Sequence, residues 1–383
     1  MRHRTTILLG LVANLFASAA AARAPRPSLE LNAVEATLDE ALEASGLNDV
    51  QQDHARKEFL AIAERAWAAV GAARSPERRA RRLHAYLHRD VFHLYRDDAD
   101  GLAAVFDRGE YNCVSATLLE GMLARSLGLR PWVIPGTRHV FLRIDLGDHT
   151  IDVEATSPDG FDVHSDSERA RRFLLIYKLA TPNEIATRGA TTVLDAYEGF
   201  GTPVTLESAT AFIWHNVAER ALARGEGRRA AEILAEGEAR HPGLGAPPDA
   251  IQTFLARAFR AEFDAHRTYN AYRVASIAAR LDADDASTQN RLVAAGAELI
   301  DEAADRGDVA AAEDIVTDVR KLIGDRSLRF ERRALPVVVA AAVRVGDWDE
   351  AECMADRFAA IELDRVESGR LHAWVRGRRA SHS

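Results

Sequence analysis

The chain has 383 residues, of which 47% are hydrophobic, 28% charged and 7% aromatic, a composition that is typical of a folded globular protein with more than one domain. Its formal net charge is −9 at pH 7, and this acidic balance gives no indication of a nucleic-acid-binding protein. The two cysteines are too few for the disulfide framework of a small secreted protein.

Residues 1–22 have the pattern of a signal peptide. "MRHRTT" is a short basic segment, "ILLGLVANLFASAA" is apolar, and the alanines at residues 20–22 supply a cleavage site. The apolar stretch is shorter than the ~20 residues that cross a bilayer. We therefore expect an exported protein, periplasmic or secreted, with no stable membrane span after cleavage; a retained N-terminal anchor helix is the alternative.

The region that follows the signal is predicted to be helical. "LELNAVEATLDEALEASG" repeats apolar residues every three or four positions, and "SPERRARRLHAYLHRD" opens with a serine N-cap and a proline at the first helical position. His84, His88 and His93 lie close together, but no acidic or cysteine partner lies in ligand register. We interpret these histidines as part of a solvated or half-buried helix face and predict no metal site.

A helix and a small sheet are predicted next. The apolar run that begins at Cys113 has helical spacing and ends at Gly128. "RPWVIPG", "HVFLRIDLG" and "HTIDVEATS" are short and rich in β-branched residues, which predicts two or three antiparallel strands with a hairpin turn near residues 146–149. This part of the chain is therefore predicted to have an α+β fold.

From about Ser208 onward the pattern is helical throughout. Gly225, Gly307 and Gly346 each end one helix shortly before another begins, and the last two are 39 residues apart. Helix–turn–helix repeats of about 34 residues are typical of tetratricopeptide-like arrays. We favour a stack of repeat-like helical hairpins over the alternative, an irregular helical bundle.

Three residue types stand in the order that thiol acyl-transfer chemistry requires. Cys113 opens a helix, His139 opens a strand, and an acid, Asp152 or Glu154, lies on the next strand. The thiolate is the nucleophile, and both a helix N-terminus and an adjacent imidazolium stabilise it. The acid holds the imidazole in the productive tautomer, and outward-pointing N–H groups at the helix start can form an oxyanion hole.

Strand geometry leaves the identity of the acid open. Side chains alternate along "TIDVEAT", so Asp152 and Glu154 share one face of the strand. If this strand pairs with "HVFLRI" through the predicted hairpin turn, both acids can lie on the face that carries His139. Tyr111, Trp132 and Phe141 flank the site, as the lining of a substrate cleft or as parts of the core.

The stretch from Arg108 to Phe161, "RGEYNCVSATLLEGMLARSLGLRPWVIPGTRHVFLRIDLGDHTIDVEATSPDGF", resembles the transglutaminase-like superfamily of papain-type cysteine enzymes. It is most similar to a bacterial branch in which this core is joined to tetratricopeptide-like helices. The resemblance implies that Cys113 is the nucleophile and His139 the base. The family pattern ends with aspartate before Pro-Thr; "VEAT" puts Glu154 in that register with alanine in place of proline.

The resemblance and the residues together imply three segments: a signal peptide at 1–22, a transglutaminase-like α+β domain with a helical N-terminal part at 28–200, and a helical repeat-like domain at 205–375. The implied function is an exported cysteine hydrolase or acyltransferase that acts on peptide or isopeptide bonds without cofactor or metal. The alternative is a non-catalytic adaptor, which would bind a protein partner through the helical repeats.

The second cysteine, Cys353, lies in "DEAECMADRF", the second helix of the last predicted hairpin. Apolar neighbours indicate that it packs in the core. A third interpretation is a structural disulfide between Cys113 and Cys353.

Overall fold

The computed structural model describes residues 28–70, 73–136, 139–198, 201–362 and 364–382, so the predicted signal peptide lies outside the described residues. The described chain divides into two compact units. The first unit contains residues 28–40, 49–95 and 105–207, and the second contains residues 41–48, 96–104 and 208–382. The main division falls between Glu207 and Ser208. The two short early segments of the second unit have no counterpart in the sequence prediction.

The protein is mostly helical with one small antiparallel sheet, as the α+β prediction requires at this level. No helix within the described ranges combines the length and the apolar character that crossing a bilayer requires. The elements up to the sheet are helices α1 Ser28–Ala44, α2 Asp49–Val70, α3 Pro76–Asp90, α4 Leu102–Arg108 and α5 Cys113–Ser126, and the two-residue parallel strands β1 Leu94–Tyr95 and β2 Glu110–Tyr111.

The three-stranded sheet lies in the first unit and consists of β3 Arg130–Pro135, β4 Val140–Asp145 and β5 Thr150–Val153. Both strand pairs are antiparallel, and β4 lies in the centre. The predicted strands and the hairpin turn are confirmed: Leu146 donates its N–H to the carbonyl of His149 at 3.0 Å. Gly147 has a φ of 103°, which glycine adopts without strain.

Helix α5 packs against β3 and β4 and is buried along almost its whole length. Gly121 allows α5 to approach both Leu206 and the central strand, since a Cβ there would lie 2.5 Å from Leu206 Cδ2 and 3.1 Å from Leu142 Cδ1 of β4. The predicted start at Cys113 is confirmed. The predicted start of α3 is also confirmed, because the Ser75 side chain accepts the N–H of Arg78 and proline follows Ser75.

The chain after the sheet forms a separate small apolar cluster in the first unit. Val163, Phe173, Leu174 and Leu194 are among its buried members. Burial of this apolar surface against neighbouring helices holds the last third of the unit together. The helices are α6 Ser167–Ile176, α7 Pro182–Arg188 and α8 Ala190–Glu198, and α9 Leu206–Ala209 spans the division between the units.

The second unit is built from consecutive packed helices. Each helix from α11 to α18 contacts the one before it, and α14 also contacts α16. Gly307 and Gly346 end their helices in the left-handed conformation, with φ of 74° and 80°, as predicted. The helices are α10 Ala211–Ala223, α11 Gly227–Arg240, α12 Pro248–Phe263, α13 Thr268–Leu281, α14 Ala286–Arg306, α15 Val309–Ile323, α16 Leu328–Val345, α17 Trp348–Ile361 and α18 Arg365–His382.

Two interpretations of the cysteines are wrong. Cys353 is exposed and does not pack in the core, because it lies on the outer face of α17 while Met354 and Phe358 are buried on the inner face. Cys113 and Cys353 are both free thiols, so the structural disulfide is also wrong.

Candidate active site

Cys113 lies at the first position of α5, where a capping box fixes the start of the helix. The Asn112 side chain accepts the N–H of Ser115 at 3.0 Å, and the Ser115 hydroxyl accepts the N–H of Asn112 at 2.9 Å. Cys113 itself is half-buried. A half-buried thiol at a helix N-terminus is accessible to a small substrate and lies in the positive potential of the helix dipole.

His139 directly precedes β4 and forms a short ion pair with Glu154, with 2.5 Å between Nε2 and Oε2. Burial lowers the pKa of His139. The charge and hydrogen bond of Glu154 and a hydrogen bond with Cys113 outweigh burial, so the pKa of His139 is raised well above its ordinary value. Because Nε2 is engaged by Glu154, Nδ1 is the ring nitrogen that remains for the thiol.

Glu154 follows β5 and is almost completely buried, with 1% exposure. Its second carboxylate oxygen, Oε1, accepts the Thr156 hydroxyl at 2.5 Å and the Thr156 N–H at 3.1 Å. Burial raises the pKa of Glu154, but the charge and hydrogen bond of His139 and the bonds from Thr156 lower it further, so the net direction is downward. The buried carboxylate is therefore ionised, and both of its oxygens are fixed.

Gly160 is what allows the backbone to fold back over Glu154. The Glu154 N–H donates to the carbonyl of Gly160 at 2.9 Å. A Cβ at position 160 would lie 2.1 Å from the Glu154 carbonyl oxygen. Glycine is thus required by close backbone approach, with no positive φ involved.

The second candidate acid, Asp152, has a different partner. It lies directly opposite Arg143 in the β4–β5 register, and Arg143 donates to its two oxygens from Nε at 2.6 Å and Nη2 at 2.8 Å. This bidentate pair engages both carboxylate oxygens of Asp152 and orients the carboxylate toward Arg143. The structure therefore brings together Cys113, His139 and Glu154, and it places Asp152 on Arg143.

The flanking aromatic residues divide between core and surface. Tyr111 and Phe141 are buried, and Tyr111 donates its hydroxyl to the carbonyl of Thr156 at 3.3 Å. Trp132 on β3 is exposed. Among these three, only Trp132 offers a large accessible apolar surface.

A buried polar cluster lies next to Glu154 and was not predicted from the sequence. His84 on α3 is 2% exposed, so its interpretation as a half-buried or solvated residue is wrong. It contacts Glu120 of α5, which is completely buried, and His88 lies beside it with ring centroids 4.6 Å apart. A glutamate inside the apolar run "TLLEGMLA" was the signal for this cluster, since a buried carboxylate requires a partner.

No group of three or more histidine, cysteine, aspartate or glutamate side chains is placed to hold a metal ion within the residues that the structure describes. The arrangement supplies other chemistry: a thiol at a helix start, an imidazole in reach of it, and a buried carboxylate on the far side of that imidazole. This order permits a proton to move between thiol and imidazole while the imidazole keeps a fixed orientation.

Comparison with known proteins adds little to this geometry. No protein-family model matches the chain, and no curated protein matches it. One solved structure, described as "Crystal structure of menin reveals the binding site for Mixed Lineage Leukemia (MLL) protein", aligns over 97% of this chain and 88% of its own, with 10% sequence identity and a TM-score of 0.26. A likeness of that size carries no argument about fold or function.

Proposed function

We propose that the protein is an exported, transglutaminase-like cysteine hydrolase or acyltransferase that acts on amide bonds through Cys113, His139 and Glu154. The observation that carries the proposal is the ion pair between the partly buried His139 and the buried Glu154, whose imidazole also reaches Cys113. An ion pair with one buried member seldom improves stability over apolar packing, whereas it is required where an imidazolium must be held beside a thiolate.

In the proposed reaction the Cys113 thiolate attacks the carbonyl carbon of the substrate amide. A sulfur–carbon bond forms, and the carbonyl electron pair moves onto oxygen. His139 then gives its proton to the amide nitrogen as the carbon–nitrogen bond breaks, which leaves a thioester and releases the amine. Water or a second amine attacks the thioester, His139 removes the proton from the attacking group, and Cys113 departs as thiolate.

Glu154 acts on the imidazole and does not contact the substrate. Its Oε2 fixes the proton on Nε2 of His139, so Nδ1 is the nitrogen that exchanges a proton with the thiol. The capping box takes the N–H groups of Asn112 and Ser115, which leaves those of Cys113 and Val114 at the helix start for a developing oxyanion.

Hydrolysis is favoured over cross-linking because water is always available as the acceptor. An exported enzyme of this type meets cell-wall peptides and exported proteins, and these are the proposed substrates. The location itself is tested by the N-terminal sequence of the protein that cells accumulate: export predicts a chain that begins after residue 22, and a chain that retains residues 1–22 in the cytosol would contradict it.

Acyl-enzyme formation can be tested without the natural substrate. An activated ester such as p-nitrophenyl acetate is expected to release a burst of nitrophenolate and leave an acetyl group on Cys113, located by mass spectrometry. The experiment is done with Cys353→Ser as background, because Cys353 is exposed and would also react. Cys113→Ala and His139→Ala should remove the burst, and a burst that survives Cys113→Ala would contradict the proposal.

A second function is favoured by a feature of the second unit. A cavity of about 330 Å³ lies between α14 and α16. It combines apolar residues such as Val293 and Phe330 with the charged residues Asp301, Arg329 and Arg333. If the helices form a tetratricopeptide-like array, this cavity is where the adaptor function would bind a peptide side chain. Val293→Arg should then abolish capture of a protein partner while acyl-enzyme formation continues; unchanged capture would exclude this cavity.

A further inference from the structure

A line of polar side chains runs along one face of α5, beneath the nucleophile. Thr117 and Glu120 lie four and seven residues after Cys113, a spacing that places all three on the same face of a helix. Thr117 is 1% exposed and Glu120 is completely buried. Buried polar side chains in a mostly apolar helix each require a hydrogen-bond partner, and the partners of Thr117 and Glu120 lie outside the helix.

We propose that Thr117 and the pair Glu120–His84 are positioning residues, which tie the backbone segments that carry His139 and Glu154 to the helix that carries Cys113. For its catalytic meaning this inference rests on the proposed function. Whether these residues fix Glu154 against His139 can be tested even if Cys113 does not react.

Thr117 holds the segment of the base. Its hydroxyl donates to the carbonyl of Val140 at 3.3 Å, and Val140 is the residue immediately after His139. This bond joins the second turn of α5 to the start of β4. This buried hydrogen bond therefore helps to fix the position of the His139 backbone relative to the start of α5, where Cys113 lies.

Glu120 holds the segment of the acid through His84. Both carboxylate oxygens of Glu120 lie near Nδ1 of His84, at 3.2 and 3.3 Å, and Nε2 of His84 lies 2.9 Å from the carbonyl oxygen of Ser157. A carbonyl only accepts, so Nε2 carries a proton and donates it. Burial lowers the pKa of His84, but the charge and hydrogen bond of Glu120 and the hydrogen bond to Ser157 outweigh burial and raise it, which favours the protonated donor.

The turn after Glu154 is held by side chains at two consecutive residues. The Ser157 carbonyl accepts a hydrogen bond from His84, and the Thr156 carbonyl accepts one from the Tyr111 hydroxyl. Two consecutive residues of the turn are therefore each fixed by a side chain from α3 or from the strand before α5. A turn held at two successive points cannot shift Glu154 relative to His139 without breaking these hydrogen bonds.

Stability alone does not explain the Glu120–His84 pair. Replacing a buried ion pair by apolar residues of similar volume is often neutral or stabilising, because desolvation offsets the attraction between the charges. The pair instead fixes the orientation of the His84 imidazole, so that its Nε2–H is aimed at the Ser157 carbonyl. The groups that face His84 are Glu120, His88 and Glu154, and those that face His139 are Glu154 and Cys113, so the two histidines share Glu154 as a neighbour.

The test removes both members of the pair together, so that no buried charge is left alone. In the double variant His84→Phe/Glu120→Leu, made in the full chain with Cys353→Ser, we expect the pKa of His139 measured by NMR of its ring protons to fall by about one unit. Alkylation of Cys113 by iodoacetamide at pH 6 should slow by about tenfold, since a one-unit loss is a tenfold change in equilibrium. Ser126→Ala, which removes a buried hydrogen bond at the far end of α5, is the matched control and should change neither.

Two further variants keep the test decisive if the double variant does not fold. Thr117→Val removes one hydroxyl with little change of shape and should also slow alkylation at pH 6. Glu120→Gln should preserve the hydrogen bonds of His84. The glutamine amide donates to Nδ1 of His84, so the proton stays on Nε2 and is donated to the Ser157 carbonyl.

An unchanged pKa of His139 in the folded double variant, or in Thr117→Val if the double variant is unfolded, would overturn the inference. Failure of the proposed function gives a different result. Cys113 of the unmodified protein would then be unreactive at pH 6, while the pKa of His139 would still fall in the double variant and establish the positioning role.

Discussion

Replacing Glu154 by glutamine tests the role of the buried carboxylate. Oε1 accepts two hydrogen bonds from Thr156, so the glutamine oxygen is expected to take that position and turn its NH₂ group toward Nε2 of His139. Two donors cannot face each other, and the imidazole must move its proton to Nδ1. The nitrogen that should accept the thiol proton is then occupied, and the imidazolium loses its buried counter-charge.

The size of the effect follows from the ion pair. An opposite charge in direct contact raises the pKa of a histidine by about 1–3 units, so its loss lowers the equilibrium constant for the thiolate–imidazolium pair by about 10- to 1,000-fold. We expect alkylation of Cys113 by iodoacetamide in Glu154→Gln to be at least about tenfold slower than in the unmodified protein at pH 6. Near pH 10 the two rates should converge, because the thiolate then forms without help from His139.

Stability should follow the same pair with a defined pH window. The raised pKa of His139 contributes stability that is fully present below its unfolded value of 6.5 and is lost as the pH rises through the folded pKa. The lowered pKa of Glu154 contributes stability that is present above its unfolded value of 4.5 and is lost as the pH falls through the folded pKa. The unmodified protein should therefore exceed Glu154→Gln in thermal stability most clearly between about pH 4.5 and 6.5.

The rate assay distinguishes this reasoning from a general loss of structure. It is carried out with Cys353→Ser at a series of pH values, and Asp152→Asn, two residues earlier in β5, is the matched acid variant. A uniform reduction of the Glu154→Gln rate at all pH values would show that access, and not proton transfer, had changed. Equal rates at pH 6 would refute the assignment of Glu154.

The remaining predictions concern the surroundings of the site. Asp152→Asn should leave the pH profile of Cys113 alkylation unchanged and cost at most about 1 kcal/mol in the free energy of unfolding, since its pair with Arg143 is partly exposed. Gly160→Ala places a Cβ 2.1 Å from the Glu154 carbonyl oxygen, so it should lower the free energy of unfolding by about 1–3 kcal/mol and lower the midpoint of thermal unfolding. An unchanged midpoint would show that the turn can move to accommodate the methyl group. Asn112→Ala removes the N-cap of α5 and should cost about 1 kcal/mol in urea unfolding followed by NMR of the first unit, and no loss would mean that packing alone fixes the helix start.

Local signals were sufficient for the elements that carry the site. The start of α5 at Cys113 could be predicted because a polar segment meets an apolar helical run there, and the strands could be predicted from β-branched residues between glycine turns. The left-handed glycines at Gly307 and Gly346 ended helices as expected. Each of these features depends on residues that are close together in the chain.

Features that depend on distant pairing could not be predicted in the same way. Asp152 and Glu154 have the same local pattern, and only the β4–β5 register, which puts Arg143 opposite Asp152, separates them. The pair His84–Glu120 joins residues 36 positions apart, so neither sequence segment reveals it alone. Cys353 has apolar neighbours in sequence, but its exposure is decided by which face of α17 is covered.

Cys353 is an internal control for the activation of Cys113, because it is the more exposed of the two free thiols. Burial and the nearby carboxylates of Glu350 and Glu313 raise the pKa of Cys353, so it represents a cysteine without activation. The decisive measurement is the alkylation rate of both cysteines in the same molecule at pH 6, resolved by mass spectrometry of the labelled peptides. An activated Cys113 predicts faster labelling at Cys113 despite its lower exposure; equal or faster labelling at Cys353 would contradict the account.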